Sequence, residues 1–145
     1  GGCYWLDPSD PTVVNWVCAI VNELKALGFH EVVLDNFRFP PSPDLYIFNG
    51  DRDEAIQTAA NKLVESCATS TFTVSFCTND TAFKLPAGGQ SRLYLENIGA
   101  KDVEPAAAKL TLENPEAELV FLATSTDTRY NNYSSLRSIS VAATH

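Results

Sequence analysis

Residues 10–40 read DPTVVNWVCAIVNELKALGFHEVVLDNFRFP, and the two halves of this stretch have different periods. In the first half apolar residues return at steps of three and four: Val13, Val17, Ile20, Leu24 and Leu27, with Val14, Trp16 and Val21 widening the stripe. That is the pattern of a helix lying on a sheet. Asp10 is a good N-cap, Pro11 suits the first helical position, and Gly28 stands where a helix ends in a left-handed residue. The second half, Glu31 to Phe37, is a strand with a continuously apolar centre, as in a parallel strand covered on both faces. Its polarity appears only at the C-terminal end, at Asp35 and Asn36. A helix followed at once by such a strand predicts an α/β fold.

The same alternation runs through the rest of the chain. Residues 3–6 look like the end of a short strand. Arg38 to Gly50 is a long loop rich in proline and aromatic residues, of a kind that is functional or disordered in compact domains. Asp51 or Asp53 caps a helix with Ala55, Ile56, Ala59, Ala60, Leu63, Val64 and Cys67 along one side. Thr71 to Cys77 alternates β-branched and aromatic residues and reads as a strand. Arg92 to Glu96 is a further short strand, and Asp102 caps a short helix with Pro105 just inside. Glu118 to Ala123 is a buried strand, and Ser135 to Val141 could be a last one. The expectation is a single α/β domain over residues 1–145, either a partial TIM-type (β/α) barrel or an open, mostly parallel sheet of five to six strands with three main helices.

Composition narrows the partners. The chain has 145 residues, 45% apolar and 19% charged, which suits one folded domain. Eighteen acidic against ten basic residues give a net charge of −8, which argues against nucleic acid and against an anionic membrane surface. No apolar run approaches the ~18 residues of a membrane span, and no signal-peptide pattern opens the chain. The Gly1-Gly2 start and the absence of Met point to an excised piece of a longer protein. The cysteines at 3, 18, 67 and 77 match no zinc spacing and read as small buried hydrophobes, with one disulfide through Cys3 left open. No phosphate-binding glycine loop or nucleophile elbow is present, and the two histidines, His30 and His145, sit away from any strand's C-terminal end. Neither metal nor cofactor is expected.

Ligands of such sheets bind at the C-terminal ends of the strands, and polar residues collect there. Asp7, Asp35-Asn36, Asn79-Asp80, Glu96-Asn97 and Asp127 each follow a predicted strand. Carboxylates on one rim can serve acid–base chemistry, sugar hydroxyls or a divalent cation. Asp7 and Asp10 read better as caps, and Asp51, Asp53 and Asp102 as caps or solvated groups. Asp35 follows three apolar residues and is expected to be half buried, either as a site residue or as an ion pair with Arg38.

One segment carries a family resemblance. Trp5-Leu6-Asp7-Pro8-Ser9-Asp10-Pro11, the helix ending Leu27-Gly28-Phe29, and Leu34-Asp35-Asn36-Phe37-Arg38-Phe39-Pro40 resemble part of a family of glycoside-hydrolase-type domains with a TIM-barrel fold. The family pattern runs W-L-D-P-x-x-P, then E-L-x-x-x-G-F-D-E-I, then L-D-Y-x-R-F-P. This chain has His30 where the family has Asp, and Asn36 where it has Tyr. The resemblance implies the later part of an eightfold barrel, since a whole one needs about 250 residues. It implies hydrolysis of O-glycosidic bonds with Asp35 as the strand-end nucleophile or base. On that reading Glu96 or Asp80 is the acid, and Trp5, Asn36, Arg38, Asn79, Asn97 and Tyr130 line the sugar, with Tyr46 a further aromatic candidate. The alternative is a non-catalytic carbohydrate-binding or interaction domain derived from such a barrel. The implied partner is an oligo- or polysaccharide in an extracellular or cell-surface setting, and a second copy of the chain could cover the open sheet edges.

Overall fold

A computed structural model describes residues 5–39, 48–86 and 92–138. Its elements are α1 (Pro11–Ala26), β1 (Glu31–Leu34), α2 (Arg52–Cys67), β2 (Thr73–Thr78), β3 (Arg92–Leu95), α3 (Val103–Glu113), β4 (Glu118–Ala123) and β5 (Ser134–Arg137). Short 3-10 turns, Ala100–Asp102 and Thr128–Asn132, precede α3 and β5. The five strands form one all-parallel sheet in the order β1-β2-β3-β4-β5, the α/β arrangement expected of an open sheet or partial barrel. Each strand lies beside its predecessor, so the C-terminal ends of consecutive strands are neighbours. Among the described residues no helix is long and apolar enough to cross a membrane.

The described residues divide into two compact units. The first takes those up to Val32, then Phe37–Val74 and Pro86; the second takes Val33–Asn36, Ser75–Leu85 and those from Arg92 onward.

In the first unit α1 packs along α2. Asp10 caps α1 by accepting from the Thr12 N–H at 2.8 Å, and Pro11 is the first helical residue. Its far end is a Schellman turn. Gly28 has φ +96°, its N–H donates to the Lys25 carbonyl, and the Phe29 N–H donates to the Leu24 carbonyl. Asp51 caps α2 through the Asp53 and Glu54 N–H groups. The buried face of α1 is Val14, Cys18 and Val21, and that of α2 is Ala59, Ala60, Leu63, Val64 and Cys67. The two helices meet at their cysteines, where the Cys67 thiol donates to the Cys18 carbonyl at 3.7 Å. This corrects the expected stripe, because Trp16, Ile20 and Leu27 are exposed. A stripe wider than one contact face cannot say which of its edges meets the neighbour.

The second unit holds the rest of the sheet. Phe76 is in register with Leu93, Leu93 with Leu119, and Leu95 with Phe121. These side chains share one face, and Phe76, Leu93, Leu95 and Phe121 are fully buried. The other face carries Cys77, Tyr94 and Val120, packed together with Leu122 against them. The buried residues of α3 are Val103, Ala106, Ala107 and Leu110. Asp102 does not cap α3 with its side chain; the helix is entered from the 3-10 turn instead. At its other end buried Asn114 donates through Nδ2 to the Phe83 and Leu110 carbonyls, and accepts from the Leu85 N–H at 2.8 Å. Asn114→Ala would remove all three side-chain bonds, although the Leu110 carbonyl keeps the residue-114 main-chain N–H, and a loss of about 2–3 kcal/mol is expected. Urea titration checks it, and an unmoved midpoint would show that the three bonds carry no net stability.

Some strand limits differ from expectation. β1 ends at Leu34 rather than Phe37, because Asn36 takes a left-handed φ of 51° that a strand cannot continue through. As an edge strand β1 is not covered on both faces, and Val33 is 38% exposed. Trp5 and Leu6 are not in a strand, while the earlier residues of that segment lie outside the described ones. β5 confirms a last strand near Ser135, and the stretch from residue 139 lies outside the described residues.

Candidate functional site

Three neighbouring strands end in the second unit with a polar residue on the same face. Asp35 follows β1, Cys77 is the penultimate residue of β2, and Glu96 follows β3. Cys77 is in register with Tyr94, and the Glu96 N–H continues the ladder by donating to the Thr78 carbonyl at 3.1 Å. Side chains alternate along a strand, so Tyr94 and Glu96 point the same way as Cys77. One carboxylate oxygen each from Asp35 and Glu96 and the Sγ of Cys77 all lie within 4.8 Å of one another.

The strand ends are built alike. Each carboxylate is followed by an asparagine with positive φ, 51° at Asn36 and 54° at Asn97. Asparagine is among the few residues with a side chain that enter this region readily, and it turns the chain out of the sheet at once. The Asn36 N–H donates back to Asp35 Oδ1 at 2.9 Å. Asn36 thus has a conformational reason to be where it is.

The three groups differ in exposure. Asp35 is exposed, Glu96 is half-buried and Cys77 is buried. The half-buried Asp35 expected from sequence is therefore corrected: edge strand β1 leaves its last turn open to solvent. The thiol of Cys77 hydrogen-bonds to Asp35, and its pKa is pushed up to about 12. Burial is the main cause, followed by the charges of Glu96 and Asp35 and by the Asp35 hydrogen bond. Cys77 is thus a neutral donor at physiological pH. Two carboxylates and a thiol could also ligate a divalent cation of the zinc type, which would first have to displace the thiol proton.

A pH dependence follows. The folded thiol holds its proton up to about 12, against 9.0 for an unperturbed thiol. The unfolded chain therefore releases this proton first as pH rises. The contribution of Cys77 is fully present below pH 9.0 and lost toward pH 12, by about 1.4 kcal/mol per pH unit. Buried Cys67, raised to about 11 by its own burial, adds to the trend. Urea midpoints at pH 8 and 10.5 should fall further for the wild type than for Cys77→Ala; equal falls would show that Cys77 titrates normally.

The other sequence candidates sit elsewhere. The Asp80 carboxylate accepts from the Ala82 N–H at 2.9 Å, as a turn residue does, and lies outside the trio. Asn79 and Asn97 are exposed beside the strand ends. Trp5 and Arg38 belong to the first unit, where Trp5 is exposed and the buried Arg38 Nε has no partner among the described residues. Tyr46 lies outside the described residues. Tyr130 is corrected as a sugar-stacking group: it is fully buried, and its hydroxyl donates to the Ile98 carbonyl at 2.6 Å. A strand-like apolar run before it and polar residues after it do not reveal that its ring turns back beneath Phe121. Asp127 caps the second 3-10 turn, and the Arg129 fork holds its carboxyl well below the usual range. Cys77 is the member of the trio that sequence reasoning missed. Its signal was position alone, two residues before Asn79 in the strand between the two carboxylate strands.

Comparison with known proteins adds no relative, for neither a protein-family model, nor a curated protein sequence, nor a solved structure matches this chain.

Proposed function

We propose that the protein is a glycoside hydrolase, or the part of one that carries its carboxylate pair, acting on an oligo- or polysaccharide. The observation that carries this reading is the approach of Asp35 and Glu96, whose carboxylate oxygens lie within 4.8 Å at the C-terminal edge of a parallel sheet. Retaining glycosidases hold their two carboxyl groups about 5–5.5 Å apart, whereas inverting ones leave about 6.5–9.5 Å for a water. On this reading Asp35, open to an approaching sugar, attacks the anomeric carbon as the glycosidic C–O bond breaks. Glu96, half-buried, gives its proton to the leaving oxygen. Water then attacks the glycosyl–Asp35 ester, returns a proton to Glu96 and releases the carboxylate, with net retention at the anomeric carbon. The resemblance of Trp5 to Pro40 to glycoside-hydrolase-type domains points the same way and brings with it an extracellular or cell-surface setting.

The test is a panel of aryl glycosides followed by proton NMR of the first-formed product. Turnover with retention is expected. Inversion would remove the nucleophile role from Asp35. Sugar binding without turnover would favour a non-catalytic carbohydrate-binding domain, in which the carboxylates and Asn36, Asn79 and Asn97 hydrogen-bond hydroxyls.

A further inference from the structure

We infer that Cys77 is a positioning residue of this site: its buried thiol donates to the exposed Asp35 carboxylate and sets where that carboxylate stands against Glu96. The inference rests on the glycosidase reading for its catalytic consequence, although not for the contact itself. β2 lies between β1 and β3 in the sheet, so a side chain near its C-terminal end on this face falls between the two carboxylate strands. Sγ of Cys77 lies within 4.8 Å of a carboxylate oxygen on either side. The two carboxylates differ in how they are held. Asp35 projects from the first residue beyond an edge strand, and a main-chain N–H, that of Asn36, holds its Oδ1. A single hydrogen bond leaves the carboxyl group free to rotate about it. The thiol adds a second point of attachment, from a side chain that cannot swing away: Cys77 is 2% exposed and packed with Tyr94 and Val120.

The residue type fits this task. A cationic donor at this place would neutralise one of the two carboxylates. An aliphatic side chain would deprive the Asp35 carboxylate of the donor that β2 supplies. A hydroxyl would donate equally well and serves as the conservative replacement. The thiol also stays protonated throughout any ordinary assay, because burial and the flanking carboxylates oppose its ionisation. It is therefore a constant donor and a poor nucleophile.

Two measurements test this. The first is the S–H stretching band of Cys77 by Raman spectroscopy, isolated as the difference between each protein and its Cys77→Ala counterpart. The band should lie low in the wild type and move to higher wavenumber in Asp35→Asn, where the charged acceptor is gone. A band at the same position in both would overturn the inference whether or not the protein hydrolyses sugars. The second is kinetic. Cys77→Ala should lower kcat by about 100-fold with little change in KM, as a misplaced catalytic group does, and Cys77→Ser should restore most of it. Equal kcat in wild type and Cys77→Ala would also overturn the inference, and Cys77→Ser serves as the folded test should Cys77→Ala fail to fold. A shifted band in a wild type that turns over no aryl glycoside would support the thiol–carboxylate contact and retire the glycosidase reading alone.

Discussion

Asp35→Ala is expected to abolish turnover of an aryl glycoside, by at least about 1,000-fold in kcat, and to leave the thermal midpoint within a few degrees of wild type. This is the largest functional effect expected of any single change. Asp35 is exposed and lies one residue beyond β1, so removing its side chain costs only its bond with the Cys77 thiol and leaves the apolar packing of the core in place. Chemistry should respond because the shortened side chain cannot reach the anomeric carbon. Azide, a small anion, should enter the space left and attack in its place, giving a glycosyl azide of inverted configuration. Glu96→Gln should behave differently. It should hurt substrates with poor leaving groups far more than activated aryl glycosides, because the missing function is protonation of the departing oxygen. Wild-type turnover by Asp35→Ala would remove this residue from the mechanism. Asp35→Asn should separate catalysis from binding, since an amide of the same shape can still hydrogen-bond sugar hydroxyls but is no nucleophile.

Phe121→Ala is the expected worst case for stability. Phe121 lies in the middle of β4, is fully buried, and is in register with Leu95. Its ring lies 5.3 Å from that of Tyr133 and 6.4 Å, edge-on, from that of Tyr130. Tyr130 is pinned in turn by its hydrogen bond to the Ile98 carbonyl. The cavity left by the ring therefore cannot be refilled by Tyr130 without breaking that bond. A loss of about 3–5 kcal/mol follows, against a total stability of about 5–15 kcal/mol for a domain of ordinary size. Calorimetry should show a midpoint lower by roughly 10 °C. A drop of under about 2 °C would mean that the surrounding rings repack, and that Phe121 is not the centre of this core.

Much of the fold is readable along the chain because helix and strand periods differ so sharply here. Asp10, Pro11 and Gly28 delimit α1 as capping chemistry dictates, and Asp51 does the same for α2. The alternation of Thr71 to Cys77 found β2 to within about two residues, the usual uncertainty at an element's ends. The errors have a common physical origin. Periodicity says that a helix has an apolar side but not which neighbour meets it, so Trp16, Ile20 and Leu27 were expected inside and are exposed. An apolar strand centre says that a strand is buried somewhere, yet β1 proved to be an edge whose Val33 faces out. Tyr130 is a candidate for the sugar-lining set by sequence and is buried in the structure, because the 3-10 turn that carries it has almost no sequence signal.

The candidate site divides along the same line. By itself the sequence determined that carboxylates and asparagines follow the strands, and hence that acidic chemistry belongs at the C-terminal edge. That much is local, because it depends only on where each strand stops and on which residue can take the turn that follows. Which of those carboxylates meet was decided by the tertiary structure. Asp35 and Glu96 lie sixty-one positions apart in the chain, and they converge because β2 alone separates their strands in the sheet order. The same order sets Cys77 between them, while Asp80 is held in its own turn. Strand order and register are products of long-range packing, and packing is the one property that a reading of local periods and spacings does not contain.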